Sequence, residues 1–469
     1  MDIHSIAFWF CVFFLLGVFF ISVFGNFLFS ALAGILIASY FLFYKKYAFV
    51  LLSLSVIMGA AYFLVFDYAQ NAINLPFGVK TEFSGIVKKL EQSATRQRLI
   101  LDLEPPYQGR VQINAQSYPS FRYGDSVAVS GIIQTPGGPA ADYYRKEGIA
   151  GIVSYPAINL LESGRGNAFK AALLRLKGNI IKVFKQNLSV QKAAFLAGIT
   201  LGERQEFSKE FEEKMSLSGT THLVALSGYN ISVIGWAVAG VLGLWFSRSW
   251  TFYFSVAVII LFVLMTGGEA SIVRAAIMGI IALLAKESER LYSLRNAIVI
   301  AAFLMVIFNP RVLVFDLGFQ LSFAALLGIV YLMPAFQKIL NVKDAGFWNW
   351  KENALTTVSA QLAVVPILLG NFGIFSLTSF AANILILSAM PLTMGLGFVM
   401  GGVGLISEFL AGATGLIANL FLTYELWIIE IFSKFTLPIV TESFGFLAAL
   451  AYYSLLILFI YVQDSRRSF

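Results

Sequence analysis

Long apolar runs fill the chain before residue 77 and after residue 222, and short polar segments separate them. A run near or above roughly 18 residues is long enough to cross a bilayer as a helix. Because some runs are shorter or rich in glycine, the pattern predicts about 11 transmembrane helices. The first run has no basic region and no small-residue cleavage site, so we expect it to remain as a helix. The runs lie near residues 6–24, 27–43, 47–66, 223–246, 252–265, 272–284, 297–308, 317–333, 355–370, 375–394, 395–410, 416–432 and 444–461.

Residues 80–156 follow a different pattern. Apolar and polar residues alternate there, which is typical of strands with one buried face. The predicted strands cover residues 82–90, 98–103, 109–115, 125–135 and 148–155. Five short strands in under about 90 residues fit a small β-barrel, and the OB-fold is a common barrel of this size that binds oligonucleotides.

The segment that follows is basic and amphipathic. Residues 163–192 contain seven Lys/Arg and no acidic residue, and their apolar residues have helical spacing. Such a helix is suited to lying at a membrane surface. A short helix is predicted over residues 208–217, with Ser208 as its N-cap.

The predicted fold is therefore a polytopic α-helical integral membrane protein with an inserted OB-like β-barrel domain. Residues 1–77 form N-terminal transmembrane helices, residues 78–162 the β domain, residues 163–218 the basic helix and a membrane-surface segment, and residues 219–469 a second polytopic domain.

Composition and charge agree with a membrane protein and suggest its orientation. Hydrophobic residues make up 58% of the chain and charged residues 13%, against about 25% charged residues in soluble domains. Residues 78–192 hold sixteen Lys/Arg and eight Asp/Glu, so this block carries +8, while the rest of the chain sums to −1 and the net charge is +7. By the positive-inside rule, Lys45 and Lys46 mark a cytoplasmic loop. The third span then places residues 78–192 outside the cell, and Arg466 and Arg467 would be cytoplasmic.

Several kinds of chemistry have no support in the sequence. The chain has one cysteine, Cys11, and two histidines, His4 and His222, so it offers no internal disulfide and no His/Cys zinc cluster. A Gly-Lys pair, which a phosphate-binding P-loop requires, does not occur. We expect no cofactor and no metal.

The basic block has two interpretations: contact with anionic lipid headgroups, or capture of a polyanion. Proteins that bind single strands combine a basic groove with aromatic stacking residues. Here aromatic residues alternate with the basic ones, although each aromatic could instead pack in the core, and the barrel could be only a structural lid. The predicted DNA contacts are Lys88, Lys89, Arg96, Arg98, Arg110, Arg122, Lys170 and Lys177, and the aromatic residues are Phe83, Tyr107, Tyr118, Phe121 and Tyr123.

Polar residues interrupt several apolar runs. An unpaired polar group in hydrocarbon costs several kcal/mol, on the order of a lost hydrogen bond or more. Residues 219–235 (GTTHLVALSGYNISVIG) therefore predict an interrupted helix that lines a wet cavity or the protein interior. Glu269 with Arg274, and Asp316 with Gln320, are further polar pairs within apolar stretches. Ionisable groups in such places mark a pathway or form buried ion pairs.

These motifs resemble the ComEC family of competence DNA-uptake channels. Residues 201–204 (LGER) and 222–228 (HLVALSG) match its hallmark elements. TGGEASIVRAAIMGIIALLA, LVFDLGFQLSFAALLGI and AQLAVVPILLGNFGIFSLTSFAANILILSAMPL also look like elements of that family. Two departures are present: Asn230 stands where members usually have a histidine, and the sequence given ends before the metallo-β-lactamase-like domain found in many members.

The resemblance implies a channel of the bacterial inner or plasma membrane that imports single-stranded DNA without chemistry of its own. It implies as partners a cytosolic DNA-translocating ATPase, and a DNA receptor and separate nuclease on the outer side. The basic surfaces also predict contact with membrane lipids. A homo-oligomer is one possible form of assembly. The predicted channel mouth is Glu203 and Arg204, and the predicted lining residues are His222, Ser227, Asn230, Glu269, Arg274, Asp316, Gln320, Gln361, Asn371 and Asn383.

Two alternatives remain at this point. Broken helices with charges near the membrane centre also describe secondary transporters of small anions. His222 and Ser227 allow a membrane hydrolase, although no acidic residue near them in sequence would orient the histidine.

Overall fold

A computed structural model describes residues 3–71, 75–93, 96–204, 207–224, 226, 228–288, 293–340, 350–376, 378–435, 438–440 and 444–465. The chain divides into two compact units. The first unit contains Met1–Arg175 and Leu242–Leu317, and the second contains Leu176–Val241 and Gly318–Phe469.

The described residues are mostly helical. The helices are α1 (Ile3–Phe24), α2 (Phe27–Phe43), α3 (Tyr47–Asn71), α4 (Ala141–Glu147), α5 (Ala168–Asn187), α6 (Val190–Leu201), α7 (Lys209–Leu217), α8 (Gly228–Leu242), α9 (Arg248–Thr266), α10 (Ala270–Glu287), α11 (Leu294–Phe308), α12 (Val312–Phe315), α13 (Leu317–Ile339), α14 (Trp350–Phe372), α15 (Ser379–Gly404), α16 (Glu408–Lys434) and α17 (Phe446–Ser465).

Within the described residues, eight helices are long and apolar enough to cross a membrane: α1, α3, α9, α13, α14, α15, α16 and α17. Five shorter apolar helices accompany them: α2, α6, α8, α10 and α11. The prediction of a polytopic helical membrane protein is confirmed at this level. The short helix after residue 208 is also confirmed, because Ser208 accepts a hydrogen bond from the backbone N–H of Phe211 at 3.2 Å.

One prediction of helix number is wrong. Residues 375–394 and 395–410 were predicted as two spans, but a single helix, α15, covers most of both. The glycines after Pro391 do not break this helix. A Cβ at Gly397 would lie 2.7 Å from Leu196 Cδ1, and one at Gly401 2.7 Å from Ile180 Cγ2. These glycines therefore allow α6 and α5 to approach α15 closely.

The amphipathic helix predicted within residues 163–192 is α5. The side chains of Val183 and Phe184 on its apolar face are buried, and a Cβ at Gly404 of α15 would lie 2.3 Å from Val183 Cγ1. This part of the apolar face packs against protein and is not available to lipid.

A six-stranded sheet forms the β domain of the first unit. Its strands are β1 (Lys80–Gln92), β2 (Arg96–Leu103), β3 (Arg110–Gln116), β4 (Ser126–Ile132), β5 (Ile149–Ser154) and β6 (Ala157–Glu162), in the order β5-β3-β2-β1-β4-β6. The pair β3–β5 is parallel, and the other pairs are antiparallel. A two-stranded sheet, β7 (Ile374–Ser376) with β8 (Pro438–Val440), belongs to the second unit.

The five predicted strands are confirmed, and β6 was missed. β5 and β6 are separated only by Tyr155 and Pro156, and they pair with β3 and β4 respectively. One isolated bridge also joins Gln134, just after β4, to Ile152 of β5. The sheet surrounds a core that includes Val87, Leu99 and Ile113. Closure of this sheet into a complete barrel stays a prediction.

The contact at Gly397 gives a test of helix packing. We expect Gly397→Leu to lower the free energy of unfolding by about 1–3 kcal/mol or more, because the added side chain overlaps Leu196 and Thr200. Gly395→Leu is the matched control, since a Cβ at Gly395 meets no atom within 4 Å. Thermal unfolding in detergent measures both, and equal melting temperatures for the two variants would contradict the packing.

Candidate functional site

Residues 201–204 and 222–228, which are separate in sequence, contact each other in the second unit. Gly202 ends α6 in the left-handed conformation, with φ +69°. A Cβ at Gly202 would lie 2.7 Å from Leu226 Cδ1, and Arg204 Nε donates a hydrogen bond to the Val224 carbonyl at 3.2 Å. The glycine therefore both turns the chain and makes room for the second segment.

Asn230 fixes α8 to α6. Its side chain is fully buried, and Nδ2 donates to the Ile199 carbonyl at 2.7 Å. An asparagine amide can bond a backbone carbonyl inside a helical bundle, where an unpaired polar group would be costly. The structure thus gives Asn230 an anchoring contact, and its predicted role in lining a channel stays a prediction.

Of the two residues that the hydrolase alternative needs, the structure describes only His222. His222 lies on a 3₁₀ turn, Thr221–Leu223, and is exposed. Ser227 lies outside the described residues. The structure therefore does not describe an arrangement of these two side chains.

A cluster of polar groups lies beside this turn. A Cβ at Gly219 would come within 2.3 Å of Ser379 Cβ, so the chain before His222 packs directly on the start of α15. Ser379 Oγ donates to Gln361 Oε1 of α14 at 3.3 Å and to the Ser376 carbonyl at 2.6 Å. The predicted residue Gln361 is thereby brought next to one of the family-like segments.

Asn383 lies one helical turn after Ser379 on α15. Its side chain is 1% exposed, and neither amide atom has a hydrogen-bond partner among the described residues. Two other predicted residues lie elsewhere. Asn371 is exposed and donates to the Ile367 carbonyl of its own helix at 2.8 Å, and Gln320 is half-buried in α13.

The predicted mouth residues form contacts of their own. Glu203 Oε2 lies 3.0 Å from Lys177 Nζ, and both side chains are largely buried. Lys177 was predicted to bind DNA, but in the structure it neutralises Glu203. This pair connects α5 to the segment that follows α6.

Sequence reasoning missed two polar contacts in the second unit. Thr393 Oγ1 donates to Glu425 Oε1 at 2.7 Å, and Glu425 is fully buried in α16. Lys192 Nζ donates to Asn419 Oδ1 and Thr423 Oγ1, both at 2.7 Å. A carboxylate near the middle of the apolar run at 416–432 was a signal that would have identified Glu425.

In the first unit, Arg311 joins the β domain to the helices. Its side chain is 6% exposed, and Nη2 lies 2.6 Å from Asp67 Oδ1 at the end of α3. Nη1 donates to the Arg145 carbonyl of α4 at 3.1 Å. One guanidinium therefore bonds a membrane helix and the β domain together, a geometry that suits the fork of donors on arginine.

Neighbouring residues extend this joint. Asn309 Nδ2 donates to the Lys146 carbonyl at 3.0 Å, and Lys146 Nζ lies 3.3 Å from Asp316 Oδ2. The Arg145 guanidinium lies over the Phe315 ring, 4.7 Å from its centre. Asp316 therefore takes part in docking the β domain, and its predicted place in a channel stays a prediction.

Glu269 and Arg274 lie near the junction of α9 and α10 in the first unit. Glu269 is exposed in the turn between α9 and α10, where Gly267 and Gly268 have positive φ, and Arg274 is half-buried on α10. Each of the two residues has an interaction partner.

Carboxylates neutralise four of the predicted DNA contacts on the sheet. Lys88 and Arg110 share Asp102 at 3.7 and 3.0 Å. Lys89 and Arg98 share Glu91 at 3.1 and 3.0 Å. Partial desolvation acts to lower the pKa of Lys89, but Glu91, Tyr143 and Glu147 together raise it above its usual value.

The other predicted contacts differ. Lys170 lies over the Tyr123 ring, 4.9 Å from its centre. Arg96 and Arg122 are exposed, and their side chains form no ion pair with the described residues. Four of the basic residues on the strands are therefore already paired with carboxylates, so fewer of them are available to a ligand than the sequence suggested.

These features define a class of protein: a multi-pass membrane protein whose β domain is fixed to its helices by buried polar contacts. Comparison with known proteins then identifies the family. Residues 199–466 match the Competence protein family, and the chain belongs to it.

A curated relative extends the comparison. Over 236 residues the chain is 26% identical to ComE operon protein 3 of Bacillus subtilis (strain 168). The match covers 50% of this chain and 29% of that relative, so the chain spans less than a third of the relative's length. No solved structure matches the chain.

The joint at Arg311 can be tested by substitution. We expect Arg311→Met to loosen the β domain and to destabilise the protein by about 2–4 kcal/mol, because it removes the partly buried hydrogen bonds that Arg311 donates to the Asp67 carboxylate and to the Arg145 carbonyl. Hydrogen exchange in residues 141–147 should rise with it. Arg248→Met is the control, because Arg248 pairs with Glu287 at an exposed site, where such a pair contributes about 0–1 kcal/mol. Similar effects of the two substitutions would contradict this role for Arg311.

Proposed function

We propose that this protein is a membrane channel that imports single-stranded DNA during natural transformation. The observation that carries the proposal is the family match over residues 199–466. It includes residues 201–204 and 222–228, which pack together in the second unit. Membership of the Competence protein family supports a role in DNA uptake.

The polar cluster of the second unit is the proposed lining. His222 is exposed beside it, Gln361 and Ser379 are bonded within it, and Asn383 is buried with amide atoms that have no partner among the described residues. Polar groups concentrated between apolar helices are typical of a transport path. Ser227 and Gln320 belong to the same unit and are also proposed lining residues, and Glu269 and Arg274 of the first unit stay separate predictions.

The charges at the ends of the first unit support an outside location for the β domain. Arg295 lies over Phe8 near the start of α1, and Lys45 and Lys46 precede α3, which packs parallel to α1. Asp67 and Arg311 lie at the opposite end with the β domain. Since basic residues favour the cytoplasmic side, we place residues 78–192 outside the bacterial cell membrane.

Transport would be passive within this chain. We propose a cytosolic DNA-translocating ATPase as the motor, with a DNA receptor and a separate nuclease on the outer side. The exposed basic residues of the β domain and of α5 would collect the strand, and membrane lipids would contact the remaining basic surface.

Binding of single-stranded DNA to the full-length protein tests this proposal. We expect the double variant Arg96→Ala with Arg122→Ala to weaken binding several-fold and to reduce the salt slope by about 1.4, since each released phosphate contact contributes about 0.7 on a single strand. Transformation frequency should fall as well. The control, Arg98→Ala with Arg110→Ala, removes the same charge from residues already paired with carboxylates, and should change binding less. No binding by the wild-type protein at low salt would overturn the proposal.

A further inference from the structure

An open cleft lies at one end of the β domain, where β2 begins and β3 ends. Gln97, Gln116, Tyr118, Pro119, Tyr155 and Pro156 are among the residues that line it. The residues that line this cleft are different from those that join the β domain to the membrane helices.

The cleft contains a buried hydrogen-bond acceptor that no described residue uses. Gln97 is 2% exposed, and its Nε2 donates to the Gln116 and Pro119 carbonyls at 2.7 and 2.6 Å. These two bonds fix the orientation of the amide. Oε1 is the remaining acceptor of this cleft-lining amide, and it is buried with no partner among the described residues. A buried acceptor of this kind is costly to leave unpaired, and a ligand N–H group would satisfy it.

Two aromatic rings lie in the same cleft and are open to solvent. Tyr118 is 83% exposed and Tyr155 is 60% exposed. Tyr155 has a φ of +51°, which is uncommon for a non-glycine residue. By contrast, Phe83 and Phe121 are buried in the core of the domain. The cleft thus supplies the flat apolar surfaces on which a planar ring system stacks.

The cleft faces away from the membrane joint. Arg110, the first residue of β3, donates from Nη1 to the Glu147 carbonyl at the joint, whereas Gln116, the last residue of β3, lines the cleft. Seven residues of strand separate these two sites by about 20 Å, at roughly 3.3 Å per residue. A ligand that arrives from solution therefore has access to the cleft.

Positive charge is available next to the cleft. Arg96 pairs in register with Gln116, is exposed, and forms no ion pair with the described residues. Arg122 follows Phe121, which also lines the cleft. A ring system carried by a phosphate backbone would meet both stacking surfaces and cations here.

We propose that this cleft binds one unpaired nucleobase of a DNA single strand, with stacking on Tyr118 and Tyr155 and an N–H group donating to Gln97 Oε1. All four bases carry such an amino or imino group, so the site suits capture without regard to sequence. Base stacking on an aromatic residue contributes enough to change affinity about tenfold. This inference rests on the proposed function and assigns it a specific binding site.

The test measures binding of a labelled single strand to the full-length protein in detergent, together with an abasic strand of equal length and charge. We expect Tyr118→Ala to weaken binding of the normal strand about tenfold and Tyr118→Phe to preserve it, while the abasic strand binds all three proteins equally. Tyr155→Asn, which tolerates the positive φ, should also weaken binding of the normal strand only.

The outcomes separate this inference from the proposed function. If Tyr118→Ala binds the normal strand as tightly as the wild type, or loses affinity equally for the abasic strand, the nucleobase site is wrong while DNA binding stands. If the wild-type protein binds neither strand, both the inference and the proposed function fail.

Discussion

A polar group placed between apolar helices is costly unless protein or water bonds it, because lipid offers no partner. This constraint explains many of the contacts in both units. Asn230 bonds a carbonyl of α6, Lys192 bonds two side chains of α16, and Arg311 bonds both α3 and the β domain. Each contact joins elements that are distant in sequence, so the polar groups determine how the helices are arranged.

Glycine makes these contacts possible by allowing the backbones to approach. A Cβ at Gly17 of α1 would lie 1.9 Å from the Val56 carbonyl oxygen of α3, and Gly202 and Gly219 bring family-like segments against their neighbours in the same way. Small residues have this role in membrane helices because the surrounding lipid gives no hydrophobic drive for association. Close packing and polar pairing therefore act together around the proposed channel lining.

Much of the secondary structure could be predicted from the sequence, because run length, alternation and capping are local properties. The ends of α2, the five strands and the cap at Ser208 illustrate this. The division of α15 was wrong, since a glycine that permits helix packing has the same local pattern as one that ends a helix.

The candidate site was less predictable. Arg311 and Asp67 are 244 positions apart, and the carboxylates that neutralise Lys88, Arg98 and Arg110 become neighbours only when the strands pair. No periodicity in the sequence indicates such contacts. The family-like segments did identify the region of the second unit where polar residues gather, but their contact at Gly202 and Leu226 required the fold.

The most direct test of the central claim uses purified full-length protein in liposomes that contain single-strand-binding protein as a trap. A labelled single strand and a small labelled anion are added outside, and external nuclease then removes strands that have not entered. A single-stranded DNA channel predicts nuclease-protected strand inside the vesicles, dependent on the protein and on the trap. Entry of the small anion without any protected DNA would contradict the account and would indicate a transporter of small solutes.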